Sequence, residues 1–170
     1  RRAADWHAAH HLIDGALHHY VAAEDFDVAA DLLVRYQEDF FSHSTLHTLS
    51  RWIEALPDAV LAGHLRLMMI YAWATLATGQ LKKTESTLDR IEKAVGATTE
   101  DLLQDPEELP PAQRNPLLEV AIVRTATGMQ FFDTDKVQRI AERLLPYLRR
   151  EDVRCLHNTT AELRPVLLLN

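Results

Sequence analysis

Nine histidines in 170 residues are the side chains here best suited to chemistry. His7 and His11 are four residues apart, as are His43 and His47. That spacing places each pair on one face of a helix. His18 and His19 lie one helix away, and Asp14 could add a carboxylate. Such a set would suit zinc, which takes three or four nitrogen, oxygen or sulfur ligands at fixed geometry. The chain has no His-Glu-x-x-His run, and pairs four apart arise readily on a His-rich surface. The histidines are therefore read as surface residues, and no metal site is expected.

Nucleophilic chemistry has weaker support. The single cysteine, Cys155, has His157 two residues away, and Ser42-His43-Ser44 repeats the pattern with a hydroxyl. Neighbours in sequence are not the spatial nucleophile–base pair that such catalysis needs. Asp105, Glu107 and Glu108 are carboxylates of one acidic stretch, with no apolar pocket to tune them as an acid–base pair. No catalytic residue is assigned, and the chain is not expected to be an enzyme.

The elements that would position these groups repeat. Ala16–Tyr20, Glu24-Asp25-Phe26 and Ala29-Ala30-Leu33 read as helix, tight turn and helix. Tyr71–Thr75, Gly79-Gln80-Leu81 and Thr84-Leu88-Ile91 do the same, as do Thr125–Met129, Phe132-Asp133-Thr134 and Val137-Ala141-Leu144. Apolar spacing of three and four predicts helices near 2–11, 13–23, 26–41, 45–56, 61–78, 80–95, 117–130, 134–150 and 158–169. Pro57 closes the fourth, and Gly79 fits a left-handed cap after the fifth. The 61–78 helix is apolar on most sides, which predicts burial between neighbours. Period-two alternation is absent, so the fold class is all-α. One hairpin cannot bury its apolar face alone. Stacked antiparallel hairpins forming a solenoid are therefore expected, with a groove for binding.

Composition bounds the partners. A net charge of −7 argues against broad phosphate-backbone contact, so no nucleic acid is expected on this segment. A lone cysteine fits a reducing compartment. No run of about 18 apolar residues exists, so no membrane span is expected. One helical-repeat domain is read over 1–170, as a piece of a longer protein. Within it, 96–115 holds Pro106, Pro110 and Pro111 with Glu100, Asp101, Asp105, Glu107 and Glu108. It is expected to be an acidic, mobile insertion.

Several segments carry a family resemblance. They are Arg1–Trp6, His11–His19, Ala22–Phe26, Ala29–Leu33, Arg51-Trp52-Ile53-Glu54-Ala55-Leu56-Pro57 and Leu67–Trp73. Together they resemble the large ATP-binding transcriptional regulators of the LuxR type, the MalT-like regulators. The resemblance covers about 1–91 and becomes generic from Gly96 onward. It implies a tetratricopeptide-like, right-handed superhelix that senses an inducer or a regulatory protein. It further implies a nucleotide-binding module before that superhelix, a helix-turn-helix after it, a cytoplasmic location and self-association. No Gly-x-x-x-x-Gly-Lys-Ser/Thr is present, so ATP is expected only in an upstream module and no cofactor in this segment.

In tetratricopeptide hairpins the first helix lines the concave side. Placing Glu24 and Gly79 at the turn position puts His11, Asp14 and His18 there in the first hairpin. Arg66, Met69 and Trp73 take that side in the second, and Glu119 and Ile122 in the third. An Arg, His and aromatic mixture suits a carboxylate, a sugar or a peptide. Expected partners are a small-molecule inducer or regulatory protein and the other domains of the same chain. A generic tetratricopeptide scaffold that assembles proteins without sensing a small molecule is the alternative.

Overall fold

Three of the connections between successive helices use the same hydrogen-bonded turn. In a computed structural model, which describes residues 2–43, 45–130 and 134–148, every regular element is an α-helix. In order they are α1 (Arg2–Ala9), α2 (Ile13–Ala22), α3 (Phe26–Arg35), α4 (Gln37–Ser42), α5 (Leu46–Glu54) and α6 (Asp58–Gly63). Then follow α7 (Leu65–Ala77), α8 (Leu81–Val95), α9 (Thr99–Gln104), α10 (Pro111–Gln130) and α11 (Thr134–Leu148).

The turn is a Schellman motif, in which a left-handed residue lets two amides reach back to orphan carbonyls. At the end of α1, Leu12 N bonds His7 O at 2.9 Å and His11 N bonds Ala8 O at 3.2 Å. At the end of α2, Asp25 N bonds Tyr20 O at 3.0 Å and Glu24 N bonds Val21 O at 3.1 Å. At the end of α7, Gln80 N bonds Thr75 O at 2.8 Å and Gly79 N bonds Leu76 O at 3.0 Å. The left-handed residues are His11 and Glu24, both at φ 57°, and Gly79 at 72°. Two of the three turns therefore use a side-chain-bearing residue where glycine is favoured.

The chain divides into two units, residues 1–94 and 95–170, where the sequence suggests one domain. In the first unit α7 is central and packs against α3, α5 and α6, while α2 packs against α1 and α3. Leu67, Met68, Met69, Ile70, Ala72, Ala74, Thr75 and Leu76 of α7 are all buried. This is the burial that an all-round apolar helix requires. Leu17, Leu33, Leu49, Ile53, Leu88 and Ile91 complete the core. Each such side chain contributes about 2 kcal/mol by leaving water. Across the Gly79 turn, Thr84 Oγ1 donates to the buried Thr75 Oγ1 at 3.0 Å. Thr75 Oγ1 in turn donates to Tyr71 O at 2.9 Å, so both hydroxyls are satisfied inside the core.

In the second unit α9, α10 and α11 pack on one another around Leu102, Leu117, Leu118, Ala121, Ile140 and Leu144. The 96–115 stretch, expected as a mobile insertion, holds α9 and the start of α10. Its Leu102 is fully buried. Its acidic residues have local work. Asp101 Oδ2 accepts from Thr98 N at 2.8 Å while Asp101 N bonds Thr98 Oγ1 at 3.2 Å, a capping box. The Thr98 hydroxyl, donating to Asp101 Oδ2 at 2.7 Å, and then the Thr98 amide hold the Asp101 carboxyl below its ordinary range. Arg143 of α11 caps the other end, donating to Leu103 O at 2.9 Å and Gln104 O at 2.7 Å.

Three further boundaries differ from expectation. The predicted 26–41 helix is two helices, broken at Tyr36 with φ −102° and ψ 16°. The predicted 61–78 helix is preceded by a separate short α6, and the break falls at His64, just after Gly63. The predicted 117–130 helix starts earlier, at Pro111, and carries Pro116 inside it. Proline at a first helical position is favoured because its missing N–H has no partner to lose. The third hairpin turn at 132–133, Cys155, His157 and the 158–169 helix lie outside the described residues.

Candidate functional site

Of the eight residues expected to line a groove, six fall in the first unit, while Glu119 and Ile122 fall in the second and are buried. The six do not share one surface. Met69 is 2% exposed, which corrects its place on the groove. It belongs to the central helix, and the core of the unit takes it up. Trp73, one turn on, is half-buried. His18 is exposed and meets His19 edge-on, with ring centroids 5.6 Å apart.

The other three are brought toward specific partners. His11, at the left-handed end of α1, lies edge-on to Tyr36 with centroids 6.2 Å apart. Arg66 Nη2, in the first turn of α7, donates to Gln37 Oε1 at 3.0 Å. His11 and Arg66 therefore address adjacent residues at the α3–α4 break. Asp14, in the first turn of α2, accepts from Trp52 Nε1 at 2.6 Å, with Arg51 at 3.7 Å. The Arg51 guanidinium also lies 5.6 Å from the Trp52 ring centroid, a cation–π distance.

Tyr36, Gln37 and Glu54 were missed as site residues. Their signal was faint, because a polar residue within an unbroken helical pattern looks like an ordinary solvated position. Glu54 sits in the Trp-Ile-Glu-Ala-Leu-Pro segment and gathers three helices. Its Oε1 accepts from Tyr71 Oη of α7 and from Lys83 Nζ of α8, each at 2.6 Å. The Lys83 bond, followed by the Tyr71 bond, holds the Glu54 carboxyl below its ordinary range. Burial, reinforced by the hydrogen bond to Glu54, pushes the Tyr71 phenol well above its ordinary range. Ile53 between them is fully buried. This short helix thus turns one face to the core and uses its polar residues to bind α2, α7 and α8.

The histidines form aromatic contacts. Trp6 stacks on His10 with centroids 4.1 Å apart, and His7 lies 5.1 Å from His19. Among the described residues, no group of three or more His, Cys, Asp or Glu is arranged to hold a metal ion. His43 Nδ1 instead donates to Asp39 O at 2.8 Å, closing the end of α4. Among the described residues, no helix is long and apolar enough to cross a membrane.

Comparison with known proteins finds bacterial transcriptional regulators. The chain is 26% identical over 141 residues to the HTH-type transcriptional regulator MalT of Cronobacter sakazakii, covering 83% of this chain and 14% of that protein. It is 30% identical over 80 residues to the MalT of Serratia proteamaculans, covering 47% of this chain and 9% of the relative. The MalT of Yersinia enterocolitica matches to the same extent, 30% over 80 residues, 47% of this chain and 9% of the relative. The relationship is to transcriptional regulators of the MalT type. The chain spans only 14% of the length of the first of these relatives. No family model matches the chain, and no solved structure matches it significantly.

Proposed function

We propose that this chain is the sensing segment of an ATP-dependent, MalT-like transcriptional regulator of the LuxR type. The similarity to MalT over 141 residues carries this reading. The helices stack as a tetratricopeptide-like superhelix, and an inducer or regulatory protein binds its surface. The segment acts by binding and not by chemistry. ATP belongs to an upstream module, and DNA to a downstream helix-turn-helix. The protein works in the cytoplasm and self-associates when active.

Binding drives such a regulator only through different affinity for two arrangements of the helices. The polar ties between hairpins suit this role. Asp14–Trp52 and Glu54–Tyr71–Lys83 lie at helix surfaces and connect elements far apart in sequence. Exposed ties of this kind are worth about 1 kcal/mol or less each, so a ligand can reorder them.

A thermal-shift screen of the chain against sugars, amino acids, aromatic acids and purified regulatory proteins tests the reading. A ligand that binds only the folded state raises its stability. At least one small molecule is expected to raise the melting temperature. Stabilisation by proteins alone would favour the scaffold reading instead.

A further inference from the structure

We propose that the docking of α1 on α2 is a proton-sensitive latch, held while His7 and His19 are neutral and loosened when they are protonated. The inference goes beyond the sensing reading and does not rest on it.

The first observation is a close approach. The edge of the His7 ring lies on Gly15, where a Cβ would stand 2.7 Å from Nδ1 and 3.1 Å from Cε1. That Nδ1 is buried and, among the described residues, has no hydrogen-bond partner. A neutral imidazole carries one N–H and one lone pair, whereas the imidazolium carries an N–H on both nitrogens. In the neutral ring the lone pair can face Gly15. Charging the ring buries a donor at Nδ1 with nothing to accept it, which opposes the docked arrangement.

The second observation brings a like group to the same place. His19 of α2 lies 5.1 Å from His7, centroid to centroid, and His18 lies 5.6 Å from His19. Neutral rings pack at that separation, and two imidazolium rings repel there. Among the described residues α2 alone packs extensively on α1, so the charges facing His7 are those of this hairpin. Asp5 accepts from Tyr20 Oη at 2.7 Å, and Asp14 is held by Trp52 with Arg51 alongside. The carboxylates of both helices are thus engaged away from His7 and His19. Arg2 and His18 are exposed, His10 Nδ1 bonds Trp6 O of its own helix, and His11 meets Tyr36. Of α1 only Ala4 is buried, so little apolar contact resists its release. Imidazoles change charge between about pH 5 and pH 8. The latch is therefore closed at the upper end of that range and loosened at the lower end.

The test is amide hydrogen exchange of His10 and Leu12, whose N–H groups bond Trp6 O and His7 O. Exchange is measured at about pH 7.5 and about pH 5 and divided by the intrinsic rate at each pH, which gives the opening constant of α1. In the native chain that constant is expected to rise at least about fivefold on acidification, the effect of orphaning one buried donor. His7→Leu removes the titrating group and sets carbon against Gly15, and His7→Asn removes it while keeping polar atoms there. Both variants should lose the rise, whatever their opening constant at the higher pH. His47→Asn, at an exposed position of α5, should keep it. A rise of native size in both His7 variants overturns the latch. So does the absence of a rise in the native chain, or its loss in His47→Asn.

Discussion

The indole Nε1 of Trp52 donates to the carboxylate of Asp14 at 2.6 Å, joining side chains 38 residues apart. This one bond ties the second helix to the fifth, with Arg51 alongside at 3.7 Å. Asp14 is 68% exposed, so solvent weakens the tie. Trp52→Phe, which removes the donor and keeps most of the ring, should cost about 0.5–1 kcal/mol in urea denaturation. Asp14→Asn in the Trp52→Phe background should add little. Full additivity of the two losses would show that the pair is not coupled.

Glu24 holds a left-handed turn at φ 57° in the same motif where the α7 turn has Gly79. Glu24→Gly should therefore stabilise the chain by about 1 kcal/mol, despite glycine's greater freedom when unfolded. Gly79→Ala should destabilise it by a similar amount. A loss of stability in Glu24→Gly would mean that the glutamate side chain more than offsets its backbone cost.

Gly15 and Gly63 both lie in helices, but their surroundings differ. A Cβ on Gly15 would stand 2.7 Å from His7 Nδ1, whereas Gly63 has nothing within 4 Å. Gly15→Ala should lose about 1 kcal/mol, since crowding costs of 1–3 kcal/mol exceed the roughly 1 kcal/mol gained in helix propensity. Gly63→Ala should be neutral or gain up to about 1 kcal/mol. Equal effects in thermal denaturation would remove the role given to His7 packing.

Glu54 has its carboxyl pKa lowered, first by Lys83 and then by Tyr71. A depressed folded value means the unfolded chain binds the proton more readily. The contribution is therefore present above the ordinary glutamate value of 4.5 and is lost as pH falls below it through the folded value. Glu54 and Lys83 are 43% and 50% exposed, so the effect should be small. Glu54→Gln should flatten part of the acid limb in stability measured from pH 6 to pH 3, against a background that includes Asp101. An unchanged slope in that variant would place the acid sensitivity elsewhere.

How much of this was legible in the sequence depends on what each residue faces. Pro57 and Gly79 mark helix ends by local chemistry, and both appear as expected. The apolar Leu67–Leu76 run implied burial from all sides, and α7 is central. The break at Tyr36 was not legible, because Arg35-Tyr36-Gln37 contains no breaker and the partners that hold it, His11 and Arg66, are distant in sequence. The capping box of α9 was legible in Thr98-Thr99-Glu100-Asp101, but the surrounding prolines and acids concealed it. Met69 was misplaced because helical periodicity cannot choose between two apolar faces when both are covered. Trp52 and Glu54 were prominent as a family segment. Their bonds to Asp14, Tyr71 and Lys83 required the fold.

The most direct measurement is a reporter assay on the parent regulator. Residues 1–94 are replaced by the matching segment of the Cronobacter sakazakii MalT, to which the chain is 26% identical. If this segment senses the inducer, transcription should follow the inducer of the segment's donor, with ATP binding unchanged. Transcription that still follows the original inducer would contradict the account.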